Sequence, residues 1–271
     1  MVSPVRPFPD TVARVEHPPM GFEVAAEAYG MFMGRYSEPL ADGLVDLLPT
    51  TVTRPVLDVG CGPGAMTSRL VDRWGTGRVS AVDPSASFVG ALADRIPGID
   101  VRTGRAEALP WAADTFAVVT ASLVVHFLPD PAAGFREMVR VAAPGGTVAA
   151  TVWDHAGGRG PLALFWDEAR ALHPGVEDES GRAGTGAGQL ATLARGAGLT
   201  LVADTELTVS VTYEDVEQWW RPYTLGVGPA GDHLGRLSPG DRTVLHDRCA
   251  ARLPVGPFVV TATAWCVVGR R

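Results

Sequence analysis

Between residues 55 and 153, short apolar runs alternate with amphipathic helical patterns, and this rhythm limits the fold more than any other feature. Strands are read at 55–59, at 78–82 with Asp83 closing the run, and at 99–102, 115–121 and 147–153. Helices are read at 65–74, 85–95 and 131–143. Strands joined through helices cannot close as tight hairpins; they pair in parallel, with the helices packed on the sheet faces. The chain therefore reads as α/β, with a Rossmann-like parallel sheet. Ser85 follows Pro84 where a helix N-cap belongs. Pro131 sits in the first turn of its helix, and Pro144-Gly145 is expected to stop it.

Outside this block the pattern changes. Residues 1–20 read as irregular, and residues 22–48 as two helices broken at Ser37-Glu38-Pro39. Together, residues 1–50 form an expected N-terminal helical cap on a domain spanning 51–271. After Trp153 come a glycine loop, a helix at 162–172 and a polar, mobile-looking segment at 174–188. A helix at 189–196 and a strand at 199–211 follow. Residues 213–253 read as a helical insert, before a final strand at 258–268. The acceptor side of any site is expected at 156–190 and 212–255.

The 271 residues are 46% hydrophobic, enough for one large core with a cap. Net charge is −7, and all 23 basic residues are arginine. An acidic chain without lysine lacks the basic face that nucleic-acid phosphates require. Cys61, Cys249 and Cys266 are too sparse for a disulfide framework or a cysteine metal cluster, and no metal site is expected. No apolar run approaches the roughly 18 residues of a membrane span. MVSPVRPFPD has no signal-peptide core. A cytoplasmic protein without membrane or nucleic-acid partners is the expectation.

VLDVGCGPG, residues 56–64, runs from a buried strand into a glycine turn that opens a helix. Such a turn lets backbone approach a cofactor. The spacing alone leaves two cofactors open, because Gly60-x-Gly62-x-x-Ala65 also satisfies the dinucleotide fingerprint. Asp83 would bind ribose hydroxyls in either case. Charge separates them. A carboxylate at Asp58 is unhelpful beside a pyrophosphate, but useful beside an ammonium group, directly or through loop amides. Pro63 also removes an N–H where a phosphate would want one.

VLDVGCGPG resembles motif I of the class I S-adenosylmethionine-dependent methyltransferases, and further motifs follow in order. VSAVDPS at 79–85 resembles their acidic ribose-binding motif. GRAEALPWAADTFAVVTASLVVHFLPD at 104–130 resembles the segment from the adenine into strand four. MVRVAAPGGTVAAT at 138–151 resembles their helix, Pro-Gly-Gly turn and strand five. TATAWCVVGRR resembles the antiparallel last strand, and YGMFMGRYS at 29–37 the N-terminal segment of the small-molecule branch that includes ubiquinone and menaquinone enzymes. The resemblance implies a seven-stranded sheet with an antiparallel last strand, and a cofactor-binding core at 53–155.

It also implies a cofactor, S-adenosylmethionine, and a site. Asp58, Gly60, Cys61 and Gly62 fall in the turn, Asp83 and Pro84 at the ribose, Ala106 and Glu107 along the adenine, and Ser122 and Leu123 beside the methionine part. Many relatives carry an acidic residue where this chain has Arg105. A guanidinium cannot accept the adenine amino hydrogen bond, so that contact passes to Glu107 or to a backbone carbonyl. Tyr29, Arg35 and Tyr36 would form a lid, with Arg35 pairing the cofactor carboxylate. His126 is the candidate base and His155 a weaker one, each just after a strand at the ligand end of the sheet. Trp153, Trp219, Trp220 and Arg221 are candidate acceptor contacts.

The expected activity is methyl transfer to a small-molecule acceptor, O- or N-methylation favoured, with bacterial secondary metabolism suggested by the arginine-for-lysine coding bias. Other readings are a methyltransferase-like fold running a non-methylating reaction such as a cyclisation, a non-catalytic binding module, and a nicotinamide oxidoreductase. The last lacks a second mononucleotide half.

Overall fold

The computed structural model describes residues 26–271; the irregular stretch expected at 1–20 and the start of the first expected helix lie outside them. Seven strands form one sheet in the order β3-β2-β1-β4-β5-β7-β6. β1 (Val56–Val59), β2 (Val79–Asp83), β3 (Asp100–Thr103), β4 (Phe116–Ser122) and β5 (Ala142–Trp153) are mutually parallel. β7 (Phe258–Arg270) inserts antiparallel between β5 and β6 (Thr200–Tyr213). Both the alternation and the antiparallel last strand match the sequence reading. The chain turns back between β1 and β4, so the carboxyl ends of these strands splay apart there and leave a crevice.

β1 and β2 are buried along their whole length, the signature of a sheet covered on both faces. On one face α5 (Pro131–Val141) and α7 (Gln189–Gly196) bury Phe135, Met138, Leu190 and Ala194 with Val119, Val148 and Val267. On the other, α2 (Arg35–Asp46) and α3 (Ala65–Trp74) bury Leu44, Met66 and Leu70 against Val56, Val118 and Val268. α4 (Ala86–Arg95) starts from Ser85, whose hydroxyl accepts from the Phe88 N–H as expected. Asp130 caps α5 in the same way, through the Ala133 N–H at 2.8 Å.

A separate apolar cluster covers the ligand end of the sheet. It joins Phe32 and Tyr36 to α6 (Ala163–Leu172), α8 (Val216–Trp220), the following 3₁₀ turn with Tyr223, α9 (Gly228–Arg236) and α10 (Pro239–Ala250). This cap thus joins the segment before β1 to segments after β5. A short helix, α1 (Ala26–Tyr29), leads through a π-helical turn at Gly30–Gly34 into α2. No helix among the described residues is long and apolar enough to cross a membrane.

Three local expectations are corrected. α2 does not break at Ser37-Glu38-Pro39 but runs through Pro39. An interior proline costs about 3 kcal/mol, and the buried stripe Tyr36, Leu40 and Leu44 offsets it at roughly 1.5–3 kcal/mol each. Pro144-Gly145 does not stop α5, which ends at Val141; β5 already begins at Ala142 and carries the Pro-Gly-Gly as an irregularity beside β4. Finally, residues 174–188 are not loose. Trp166 Nε1–H donates to Glu179, Asp178 pairs with Arg170, and the Thr185 hydroxyl donates to the carbonyls of Ser180 and Arg182.

Candidate active site

The turn after β1 is built by three glycines with positive φ: Gly60 at 68°, Gly62 at 52° and Gly64 at 99°. Gly60 and Gly64 are required by packing. A Cβ would meet Val124 at 2.3 Å in the first case and Leu92 at 2.5 Å in the second. Gly62 differs, because nothing lies within 4 Å of where its Cβ would point. Its bare backbone faces open space.

That space is a cavity of about 350 Å³ at the carboxyl ends of β1, β2 and β4. Gly60, Gly62, Asp83, Pro84 and Ser85 form one wall, and Gly104, Arg105, Ala106 and Glu107 another. Tyr29, Phe88, Leu123, Val124, Phe127 and Leu128 supply the apolar surface. Asp83 is 6% exposed. Its Oδ2 accepts from the Gly62 N–H and its Oδ1 from the Ser85 N–H, both at 2.9 Å. Burial raises the Asp83 pKa, and these two N–H groups partly restore the charged form. The Asp83 carboxylate thus clamps the glycine turn to the end of β2 and keeps lone pairs for a ligand. Tyr29 packs edge-on to Phe88 at 5.4 Å, and burial followed by the Asp83 charge holds its phenol protonated. Glu107 Oε1 is buried and has no hydrogen-bond partner among the described residues.

A second, narrower chamber of about 30 Å³ adjoins the first and shares Tyr29, Leu123 and Phe127 with it. Phe32, Met33, His126, Trp153, His155, Leu162 and Glu179 close it. Leu123 stands between the two chambers with φ at 61°, a left-handed conformation that costs a non-glycine residue about 1–3 kcal/mol. His126 is 5% exposed, and burial, then His155 and Arg182, depress its pKa far below the usual imidazole value. Burial also lowers His155. Burial thus disfavours the charged form of both rings.

Of the residues expected from sequence, Tyr29, Gly60, Gly62, Asp83, Pro84, Ala106, Glu107 and Leu123 line the larger cavity, and His126, His155 and Trp153 the smaller. Others are placed differently. Asp58 lies 1% exposed beneath the turn, accepting from the hydroxyls of Thr67 at 2.6 Å and Thr120 at 3.1 Å rather than from loop amides. Cys61 packs inward with Ala81 and Leu92. The Ser122 hydroxyl lies 3.1 Å from that of Thr151, off the cavity wall. Arg35 is exposed and sits 5.1 Å over the Tyr213 ring, away from both chambers. Tyr36 is buried, taking a hydrogen bond from the Tyr213 hydroxyl at 2.9 Å. Trp219 and Trp220 pack with Tyr223 and Phe165 in the cap core, and Arg221 is exposed. The aromatic pair is therefore core: adjacent helical side chains point roughly 100° apart, and the cap packs around both rings. Sequence reasoning missed Phe32, Phe88, Phe127 and Glu179. Phe127 adjoins the already chosen His126 and was within reach. Glu179 was hidden in a polar, glycine-rich stretch that reads as solvent-facing.

Residues 57–150 match the family described as Methyltransferase domain. The chain is 33% identical over 144 residues to the trans-aconitate 2-methyltransferase of Azoarcus sp. (strain BH72), covering 49% of this chain and 56% of that one. The chain spans about half the length of the curated relatives it matches. Among solved structures, the complex of the Haloferax volcanii Trm112 methyltransferase activator and the putative methyltransferase has a TM-score of 0.59 at 18% identity, covering 94% of this chain and 99% of that one. Geranyl diphosphate methyltransferase in complex with SAM has a TM-score of 0.53 at 16% identity, covering 88% and 86%. Residues 57–150 thus match a methyltransferase-domain family model, and the chain shares its fold with these solved structures.

Proposed function

We propose that this chain binds S-adenosylmethionine in the larger cavity and transfers its methyl group to a small-molecule acceptor reaching in from the smaller chamber. The observation that carries this reading is Asp83, a buried carboxylate presented into the cavity beside the unobstructed Gly62. The residues fit the cofactor. Asp83 would accept from both ribose hydroxyls, with its orientation already set by two backbone N–H groups. The unpartnered Glu107 Oε1 would accept the adenine amino group, the contact that Arg105 cannot make. Phe88, Leu128 and Phe127 would flank the base and exclude water. When bound, the cofactor supplies an electrophilic methyl group on a sulfonium centre.

The protein's part is then alignment and exclusion of water. A buried His126 suits a wall against the acceptor better than a base, because burial and the neighbouring His155 and Arg182 disfavour its protonated form. An acceptor that brings its own lone pair fits this site, which favours carboxylate, other oxygen or amine nucleophiles. The similarity to enzymes named for trans-aconitate supports a small acid within that class.

The test is acceptor screening with S-adenosylhomocysteine release as readout, pairing wild type with Asp83→Asn. Product methylated in proportion to S-adenosylhomocysteine release is expected, lost in the variant. Acceptor conversion without any S-adenosylhomocysteine would instead establish a non-methylating reaction.

A further inference from the structure

The smaller chamber brings together three side chains that holding the methyl donor does not require. His126 comes from the 3₁₀ turn after β4, His155 from the turn after β5, and Glu179 from the loop between α6 and α7. Each offers one ligand atom, and these atoms lie within 4.8 Å of one another. The two imidazoles face each other with ring centroids 5.6 Å apart at 55°. His126 Nδ1 and His155 Nε2 are buried and have no hydrogen-bond partner among the described residues. Two unpaired ring nitrogens in one closed space cost free energy unless something occupies both.

We propose that His126, His155 and Glu179 hold a divalent transition-metal ion, whose open positions take an anionic oxygen of the acceptor. Two imidazoles and one carboxylate, with coordination positions left over, suit such ions and leave room for a ligand. The support around the ligands is of the kind metal sites use. Trp166 Nε1–H donates to Glu179 Oε2 at 3.0 Å and fixes the carboxylate. Gly160 lets backbone press on the other side of His155, where a Cβ would sit 3.0 Å from Nδ1.

The charges nearby agree with a cation that keeps an anionic ligand. Asp154 and Asp178 act on His155 together with Glu179, but Asp154 is paired with Arg159 and Asp178 with Arg170. Arg182, whose guanidinium lies 5.2 Å over the Phe127 ring, adds a positive field on both histidines. One divalent ion against Glu179 leaves net positive charge there. A carboxylate or phenolate oxygen of the acceptor would balance it. The ion site does not depend on the methyl-transfer reading; only the acceptor's place on it does. No spacing in the sequence announces the triad, because its members lie on three separate loops.

The test is calorimetric titration of Zn²⁺ alone, and separately Mn²⁺ alone, into the chelator-treated full chain, with S-adenosylmethionine binding measured in parallel. One ion per chain is expected, with affinity reduced at least about tenfold in His155→Gln and in Glu179→Gln. Retained S-adenosylmethionine binding in those variants shows that they fold. Co²⁺ loaded into wild type should give visible absorption bands that both substitutions alter. Absence of stoichiometric binding by wild type that still binds S-adenosylmethionine overturns the proposal, as does unchanged affinity in both variants. Loss of S-adenosylmethionine binding with metal binding intact would count instead against the donor site.

Discussion

At the residue scale, the proposed donor site depends on a few acceptor atoms set in backbone geometry. Glu107 offers a buried, unpartnered oxygen to the cavity, whereas Arg35 lies outside it over Tyr213. Glu107→Ala should weaken S-adenosylmethionine binding by roughly tenfold, the cost of one hydrogen bond to a charged group. Arg35→Ala should leave the affinity within about twofold, the reverse of what the sequence suggests. Calorimetry on both variants checks the pair. Asp58 has a different signature. Burial, only partly offset by Thr67 and Thr120, lifts its pKa to about 7. A carboxyl whose folded pKa lies above its unfolded value near 3.9 favours the fold most at low pH. That contribution fades as pH rises from about 4 and is gone above about 7. The stability of wild type relative to Asp58→Asn should therefore fall across this window in denaturant titrations; a pH-independent difference would mean that Asp58 is charged throughout.

At the scale of elements, the strands and their crossovers were legible because apolar runs and helical stripes report burial directly. The glycine and acidic motifs pointed to Gly60, Gly62, Asp83 and Pro84 on the larger cavity's wall, whereas Asp58, Cys61 and Ser122 fall outside it. Legibility stopped where tertiary contacts decide. Pro39 marks a helix end locally, yet α2 continues because Leu40 and Leu44 are wholly buried. Trp219 and Trp220 were candidate acceptor contacts, but the cap folds over them. Glu179 gave no local signal, since its burial arises when the 174–188 loop is pinned to α6. The join between α2 and β6 carries its own prediction. The Tyr213 hydroxyl donates to that of Tyr36 inside the cap. Tyr213→Phe leaves a buried hydroxyl short of a partner and should cost about 1–3 kcal/mol. Adding Tyr36→Phe should recover part of that loss in chemical denaturation, because both polar groups are then gone.

At the scale of the whole molecule, the parallel core from β1 to β5 carries the larger cavity at the carboxyl edge of the sheet, and segments before β1 and after β5 close the smaller chamber. Tyr29, Leu123 and Phe127 belong to both spaces, and the proposed methyl transfer would take place where core and cap join. The most direct test of this arrangement is titration of S-adenosylmethionine into wild type and Asp83→Asn, with NADH titrated alongside. One equivalent of S-adenosylmethionine should bind wild type, at least about tenfold more weakly in the variant, while NADH gives no heat. Tight NADH binding without S-adenosylmethionine binding, or an affinity indifferent to Asp83, would contradict the account.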